Sequence, residues 1–389
     1  MKSDYLMSPV RRWARMAVFL YLACVAASAP QVWAESGQAS SDTRSFQISQ
    51  GGQVTVEISA GEVRVATWTR QEVVVRSVGL RIASLSIQQR GNGVRIGDPR
   101  DGGWHGDARL EINVPRVSNL DLRTSFGDIS LKGDLQGRFS AVTSAGDIEF
   151  DGVEGFCDVS TAGGDIEGGD INGDADLRTS GGEIHVRDVS GRLEARTAGG
   201  EIRVGRVGGD VEARTAGGDV SVREAGGKAE LVTAGGDVDL GRVVSKADLR
   251  TSGGDIDVRE SSGPVTARTA GGDVEISSAR QWVRASTAGG DISVRLFEPA
   301  ASGSSELKTS GGDVEIWLPA TAAVTIQARI RLGRWERDDD YDIHSDFPAD
   351  SEDRRDNEIN ATYVLNGGGQ TVRLESVHGS IYIRRLSEQ

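Results

Sequence analysis

The sequence predicts an all-β fold: a single-stranded parallel β-solenoid (β-helix) with 18-residue coils, capped at both ends, its handedness left open. Three observations predict it. A Thr-(Ser/Ala)-(Gly/Ala/Phe)-Gly-(Asp/Glu) motif recurs eleven times, starting at Thr124, Thr143, Thr161, Thr179, Thr197, Thr215, Thr233, Thr251, Thr269, Thr287 and Thr309. The spacings are 19, then eight of 18, then 22 residues, and a fixed period of this length marks a stack of supersecondary units. Apolar and polar residues alternate within each unit, the two-residue period of strands. Composition agrees: 52 glycines, 8 prolines and 5% aromatics among 389 residues suit many tight corners around small side chains.

The chain starts with a cationic stretch (Arg11, Arg12, Arg15), an apolar run over residues 16–29, Pro30 and the small-residue site Val32-Trp33-Ala34. Residues 1–34 therefore read as a secretory signal peptide cut after Ala34. The apolar run is short of the ~20 residues that span a bilayer, so no integral membrane span is expected after cleavage. Arg11-Arg12 is a twin-arginine pair, but the residues after it do not continue that pattern, and Tyr21-Leu22-Ala23 is a poor acylation box for Cys24. Cleavage leaves Cys157 alone, so no intrachain disulfide is expected. It also takes the formal net charge from -14 to -17. Such acidity argues against nucleic acid and anionic lipid as partners.

Residues 35–45 are Ser/Gly/Gln-rich and are expected to form a flexible tail. Residues 46–115 alternate like strands without the 18-residue period, as in Val54-Thr55-Val56-Glu57-Ile58 and Val73-Val74-Val75. They are expected to form an N-terminal β cap with longer coils. Residues 116–318 hold the regular solenoid. Counting each coil from its threonine, positions 6 and 8 (Val220, Val222) and 15 and 17 (Ala229, Leu231) are apolar around a polar residue. Each coil thus has two strands, joined at one end by the structural corner Thr215, Gly217 and Gly218, where glycine is expected to supply positive φ. Cys157, at position 15, reads as a small core residue rather than a reactive thiol.

In-register stacking turns repeated residues into columns about 4.8 Å apart. The threonine hydroxyls are expected to bond to corner backbone or to one another. Position 5 is acidic in every coil and includes Asp165, Asp219, Asp237, Asp255, Asp273 and Asp291. Carboxylates so close repel by roughly 1 kcal/mol even in water. The sequence offers two remedies: the side chains accept corner N–H bonds, and they face the position-18 column of Arg178, Arg196, Arg214, Arg250 and Arg268. The functional alternative is a cation- or sugar-binding stripe.

Residues 319–389 are expected to form a C-terminal β cap, with a degenerate motif at Val377-His378-Gly379-Ser380-Ile381. Its acidic insertion, residues 335–358, carries eleven acidic residues against three arginines and reads as a solvated loop. Asp338, Asp340 and Asp342 have calcium-loop spacing, but Ile343 stands where the loop needs glycine and Ala349 where it needs glutamate. Gly-Gly-Asp differs likewise from the calcium-binding nonapeptide, which has another glycine and a nine-residue period.

The TSGGDI and TAGGDV turns, the opening from Gly51-Gly52-Gln53 to Gly61-Glu62-Val63-Arg64-Val65 with Trp68, and the closing Asn366-Gly367-Gly368-Gly369 before Val372-Arg373-Leu374 carry a resemblance. Over residues 46–385 the chain resembles the bacterial putative adhesin domain family, β-solenoid repeat proteins of unknown biochemical activity with envelope or surface members. The resemblance implies no catalytic residues and no cofactor. The acidic insertion departs from the family's usual short C-terminal pattern.

These readings give an exported, non-catalytic solenoid in the periplasm or on the cell surface, a scaffold or adhesion module for an envelope or surface ligand: a polysaccharide, protein or cationic peptide. Two alternatives stand beside it. One is a binding module for cell-wall polymer or a cationic envelope-stress ligand. The other is a polysaccharide-active enzyme, which needs paired carboxylates in a cleft, with only Trp282 and Trp317 placed in the array to line one. His105, His185, His344 and His378 lack metal-ligand spacing.

Overall fold

Alternation of small apolar residues dictates strands, and the computed structural model shows how they stack. It describes residues 43–79, 82–99, 108–299, 303–332, 341–355 and 357–386. All lie in the compact unit Gln31–Gln389; the other unit, Met1–Pro30, falls outside the described residues together with the expected signal peptide.

Each regular coil gives one strand to each of two parallel sheets. In the coil from Thr215 these are Val220–Ala225 and Ala229–Val232. Strand residues pair with the one eighteen places on, as in Val220↔Val238 and Ala229↔Ala247. The architecture is thus a two-sheet solenoid, and the expected single-stranded coil is corrected. Its cause lies at positions 12–14, where the Gly226 amide donates to the Val207 carbonyl at 2.8 Å and the Gly227 amide to that of Gly209 at 2.9 Å. These bonds make a second corner that separates the strands. In the longer strand, positions 9 and 10 both point outward, which brings position 11 back into the core, where Ala225 is fully buried.

The corner glycines act differently from the expectation. Gly217 and Gly218 are not in the positive-φ region; among the described residues of the array that conformation is confined to glycines of its first three coils, from Gly127 to Gly173, and to Gly303. What excludes a side chain at Gly218 is the coil beneath. A Cβ there would lie 2.4 Å from the Gly200 carbonyl oxygen and 2.6 Å from Glu201 N. Thr215, 7% exposed, donates its hydroxyl to that same carbonyl at 2.8 Å. The threonine column is therefore a ladder to backbone, not a chain of hydroxyls. We expect Thr215→Val to leave the Gly200 carbonyl unpaired and cost about 1–3 kcal/mol, read as a fall in the urea midpoint; an unchanged midpoint would remove the ladder from the account.

Both ends close by the same device. Gly52–Ala60 and Glu62–Trp68, the first parallel strands in sequence, lie one coil inside: between Gly93–Pro99 and Ser118–Phe126 in one sheet, and between Arg109–Pro115 and Ile129–Gln136 in the other. At the far end Gln370–Ser376 sits between Ser305–Lys308 and Val324–Arg331, and Ile381–Arg385 between Val314–Leu318 and Ile343–Ser345. Antiparallel strands then finish the edges: Leu85–Arg90 on Gly93–Pro99, Glu72–Val78 on Arg109–Pro115, and Glu358–Leu365 on Val324–Arg331.

Two expectations shift here. Thr43–Gln47 pairs antiparallel with Glu72–Arg76, so residues 43–45 of the expected tail are strand. Within the acidic insertion, Ile343–Ser345 pairs with Ile381–Ile383 and Ser351–Arg355 with Glu358–Thr362, so this part is not a loop. Tyr341, Ile343 and Phe347 pack on the core, and Arg354 pairs with both Asp342 and Glu352, which anchors the segment despite its charge. Ser351–Arg355 is exposed throughout, and its charges blunt the edge against further pairing. Asp338 and Asp340 lie outside the described residues.

Candidate functional site

Three outward features could carry function: the corner acids, the charged face of the shorter strands, and the shallow grooves. The corner acids form a relay. Asp165 N donates to Asp147 Oδ1 at 2.8 Å, Asp237 N to Asp219, Asp255 N to Asp237, Asp273 N to Asp255, Asp291 N to Asp273 and Asp313 N to Asp291, all at 2.7–2.8 Å. The relay ends on Ser380 N, which donates to Asp313 Oδ1 at 2.7 Å. Ser376 takes the threonine's place there, with its hydroxyl on the Gly312 carbonyl at 2.9 Å. The degenerate C-terminal motif is thus a twelfth corner and begins at Ser376.

The arginine column does not face these acids. It is paired along the shorter strands with position 16, two residues back on the same side. Arg196 bridges Glu194 and Glu212, each at 2.7 Å; Arg178 bridges Asp176 and Glu194; Arg214 bridges Glu212 and Glu230; Arg250 meets Asp248 at 3.1 Å. Side chains at i and i+2 share a sheet face, and the corner between coils carries position 5 away from position 18. Arg268 has Thr266 at position 16 in its own coil and Arg284 in the next, and it makes no ion pair among the described residues. Sequence reasoning missed the position-16 acids because Asp and Glu interchange there; i, i+2 alternation with the arginines was the available signal.

In the coils from Thr233 and Thr251 the corner acids and their position-7 neighbours Asp239 and Asp257 make no ion pair among the described residues, and only the Arg259 charge opposes their crowding. Asp239, Asp257 and Glu275 stand abreast on adjacent strands. Crowding out of water, then the charges of Asp237 and Asp219, hold the Asp239 carboxyl above the usual range; for Asp257 the causes are the same loss of water, then Glu275 and Asp239. A carboxyl whose folded pKa is raised is favoured by the fold when protonated, so this strain is fully present above the raised value and relieved as pH falls through it. We expect Asp239→Asn to raise stability at pH 7 by roughly 0.2–1 kcal/mol, the scale of a like-charge pair on a sheet. The gain over the parent protein should shrink on acidification in melting curves; a gain that grew would contradict it.

Cys157 is fully buried, and burial followed by the Asp158 charge pushes its thiol well up, which leaves it a core residue. Trp282 and Trp317 do not form a common cleft. Trp282 lies in the corner just before the strand Val283–Ser286, and Trp317 two coils on in the strand Val314–Leu318 of the other sheet, with Arg284 4.6 Å and Arg295 4.9 Å from their respective ring centres. Among the described residues no three or more His, Cys, Asp or Glu side chains converge to hold a metal ion, and no helix is long and apolar enough to cross a membrane.

The chain resembles solved structures at low similarity. A putative adhesin from Bacteroides fragilis is 11% identical, with 90% of this chain and 98% of that one covered at a TM-score of 0.22. A putative cell adhesion protein from Clostridium sporogenes is 8% identical, with 89% and 99% covered and a TM-score of 0.16. A putative lipid binding protein from Parabacteroides distasonis is 10% identical, with 89% and 97% covered and a TM-score of 0.20. No curated protein matches the chain. The Toastrack DUF4097 family model matches twice, over residues 34–229 and 210–384, and the matches overlap inside the unbroken ladder. With nearly all of the solenoid and both of its closures inside those two matches, the chain belongs to the Toastrack DUF4097 family.

Proposed function

We propose that the protein is an exported, non-catalytic binding module, an adhesin-like scaffold that presents long, flat sheet faces to a ligand of the cell envelope or surface. The observation that carries this reading is the regularity of its carboxylates. Corner acids are tied to the backbone of the next coil, and those at position 16 are tied to arginines. Glycoside hydrolysis needs one pair of carboxyls set apart from the rest, with a raised pKa on the acid and a cleft around both. Here neighbouring coils repeat the same arrangement. Export rests on the cationic and apolar start of the sequence, and the ligand would be met in the periplasm or at the surface.

A second reading is favoured by the uncompensated acids around Asp239 and Asp257: capture of a cationic peptide. Both readings are tested by incubating the protein, as recovered from expressing cells, with envelope polymers, matrix polymers and cationic peptides. Saturable binding to a polymer supports the first, and binding to cationic peptide that salt abolishes supports the second. Absence of binding across the panel would sink both.

A further inference from the structure

We infer that the protein carries two similar glycan-binding grooves, one at each end of the same sheet, placed to hold a single long polysaccharide chain at two points. The inference rests on the binding-module reading and gives it a location and a ligand class.

The shared closing device has a consequence on the outer surface. At the N-terminal end the outermost parallel strand, Gly93–Pro99, lies between Gly52–Ala60 and the antiparallel Leu85–Arg90. Its outward residues are Gly93, Arg95 and Gly97, so two positions without side chains flank one guanidinium. The result is an open groove of about 440 Å³, across which Thr55, Arg95 and Gln88 stand abreast on three strands; Glu57 pairs with one edge of the Arg95 guanidinium and Arg90 donates to the Gln88 amide oxygen at 3.2 Å, which leaves the other donors of both side chains turned to the groove. At the C-terminal end the outermost parallel strand, Val324–Arg331, lies between Gln370–Ser376 and the antiparallel Glu358–Leu365. There Arg373, Gln327 and Thr362 stand abreast across a groove of about 470 Å³. Each row holds one arginine, one glutamine and one threonine around an outermost parallel strand, although the three types are permuted between the strands (Arg95 on the floor of one groove, Gln327 on the floor of the other) and Glu306 and Glu375 also line the C-terminal groove. The regular coils between do not repeat this trio.

The chemistry of the rows selects the ligand. Guanidinium, amide and hydroxyl groups together donate and accept hydrogen bonds, as vicinal hydroxyls require. In each row they span three strands ~4.8 Å apart. An extended peptide is disfavoured, because the floor strand of each groove is paired on both sides and offers no free edge for strand addition. An acidic polymer would approach a chain of net charge -14 against repulsion. A neutral, hydroxyl-rich polymer meets neither obstacle. Fourteen strand steps separate the two floor strands, so at ~4.8 Å per step the grooves are roughly 65 Å apart. A chain longer than this can occupy both, and joining two weak sites in this way strengthens binding by about 10²–10⁴-fold.

The test uses dextran and mannan, as long polymers and as short oligosaccharides, in calorimetric titrations of the full protein. Two paired variants are compared: Gln88→Ala with Arg95→Ala, and Gln327→Ala with Arg373→Ala. All four side chains point outward. We expect two short oligosaccharides of one of these sugars per parent protein and one per variant, and the long polymer to bind each variant at least about 10²-fold more weakly than the parent. The remaining site in each variant reports that the fold is intact. If a glycan binds but neither variant changes stoichiometry or long-polymer affinity, the grooves are overturned while the binding-module reading stands. The same holds if dextran and mannan do not bind while a peptide or an acidic polymer of the wider panel does. If nothing in that wider panel binds either, both fall.

Discussion

Replacing Gly218 by alanine is expected to cost about 3 kcal/mol or more, at or beyond the upper end of what overpacking a core imposes. The added Cβ would lie 2.4 Å from the Gly200 oxygen, 2.5 Å from its carbon and 2.6 Å from Glu201 N, all of them backbone. None of these atoms can swing aside as a side chain could. The Gly200 carbonyl is held by Thr215, and the Glu201 carbonyl accepts the Ile184 amide of the coil below at 2.9 Å. The neighbouring Gly217 is a control. A Cβ there meets the Gly199 oxygen at 2.9 Å and nothing else closer than 3.7 Å, so Gly217→Ala should cost about 1 kcal/mol, at the low end of the same range. Because a repeat array unfolds by neighbouring units, the variants should also differ in hydrogen exchange, with protection lost first around the coil from Thr215. Equal costs at the two positions would show that the corners do not stack as closely as described.

The second large effect is expected where the array departs from its own pattern. Position 8 is valine in the coils from Thr179, Thr197 and Thr215, but Phe150 in the coil from Thr143 and Gly168 in the next. The two residues are paired across the sheet, and a Cβ on Gly168 would meet Phe150 Cζ at 2.5 Å. The ring, 2% exposed and 5.5 Å from that of Phe139, thus occupies space that valine fills elsewhere. Gly168→Val alone should cost about 1–3 kcal/mol through overpacking. Phe150→Val alone should cost about 2–4 kcal/mol, somewhat below a phenylalanine-to-alanine truncation. Combined, they restore valine on valine, and the double variant should be more stable than the two costs predict by at least about 1 kcal/mol, within the range of directly coupled residues. Urea midpoints of the four proteins measure it. Simple additivity would mean that the ring and the glycine do not share one space.

The regular coils were readable because their constraint is local and repeated. A threonine whose hydroxyl must reach a backbone carbonyl, a glycine under another coil's carbonyl, and an aspartate that accepts the next coil's amide leave the same letters in the same places. The reason for Gly218 was not readable, since a glycine required by close approach and one required by positive φ look alike in a sequence. The arginine column was visible, but its partners were not, because Asp176, Glu194, Glu212, Glu230 and Asp248 vary in identity while keeping only their sign and side of the strand. Least legible were the ends. Gly52–Ala60 and Gln370–Ser376 each insert one coil inward of their place in sequence, and nothing in an aperiodic strand records which neighbour it will choose. The grooves arise from that insertion, so the rows of Thr55, Arg95 and Gln88, and of Arg373, Gln327 and Thr362, cannot be assembled without the pairing.

The most direct test of the binding-module account is a long incubation of the protein with each polymer it binds, with the polymer's length distribution measured by mass spectrometry alongside a binding isotherm. The account predicts saturable binding and an unchanged length distribution; release of shortened glycan at a rate proportional to protein concentration would contradict it.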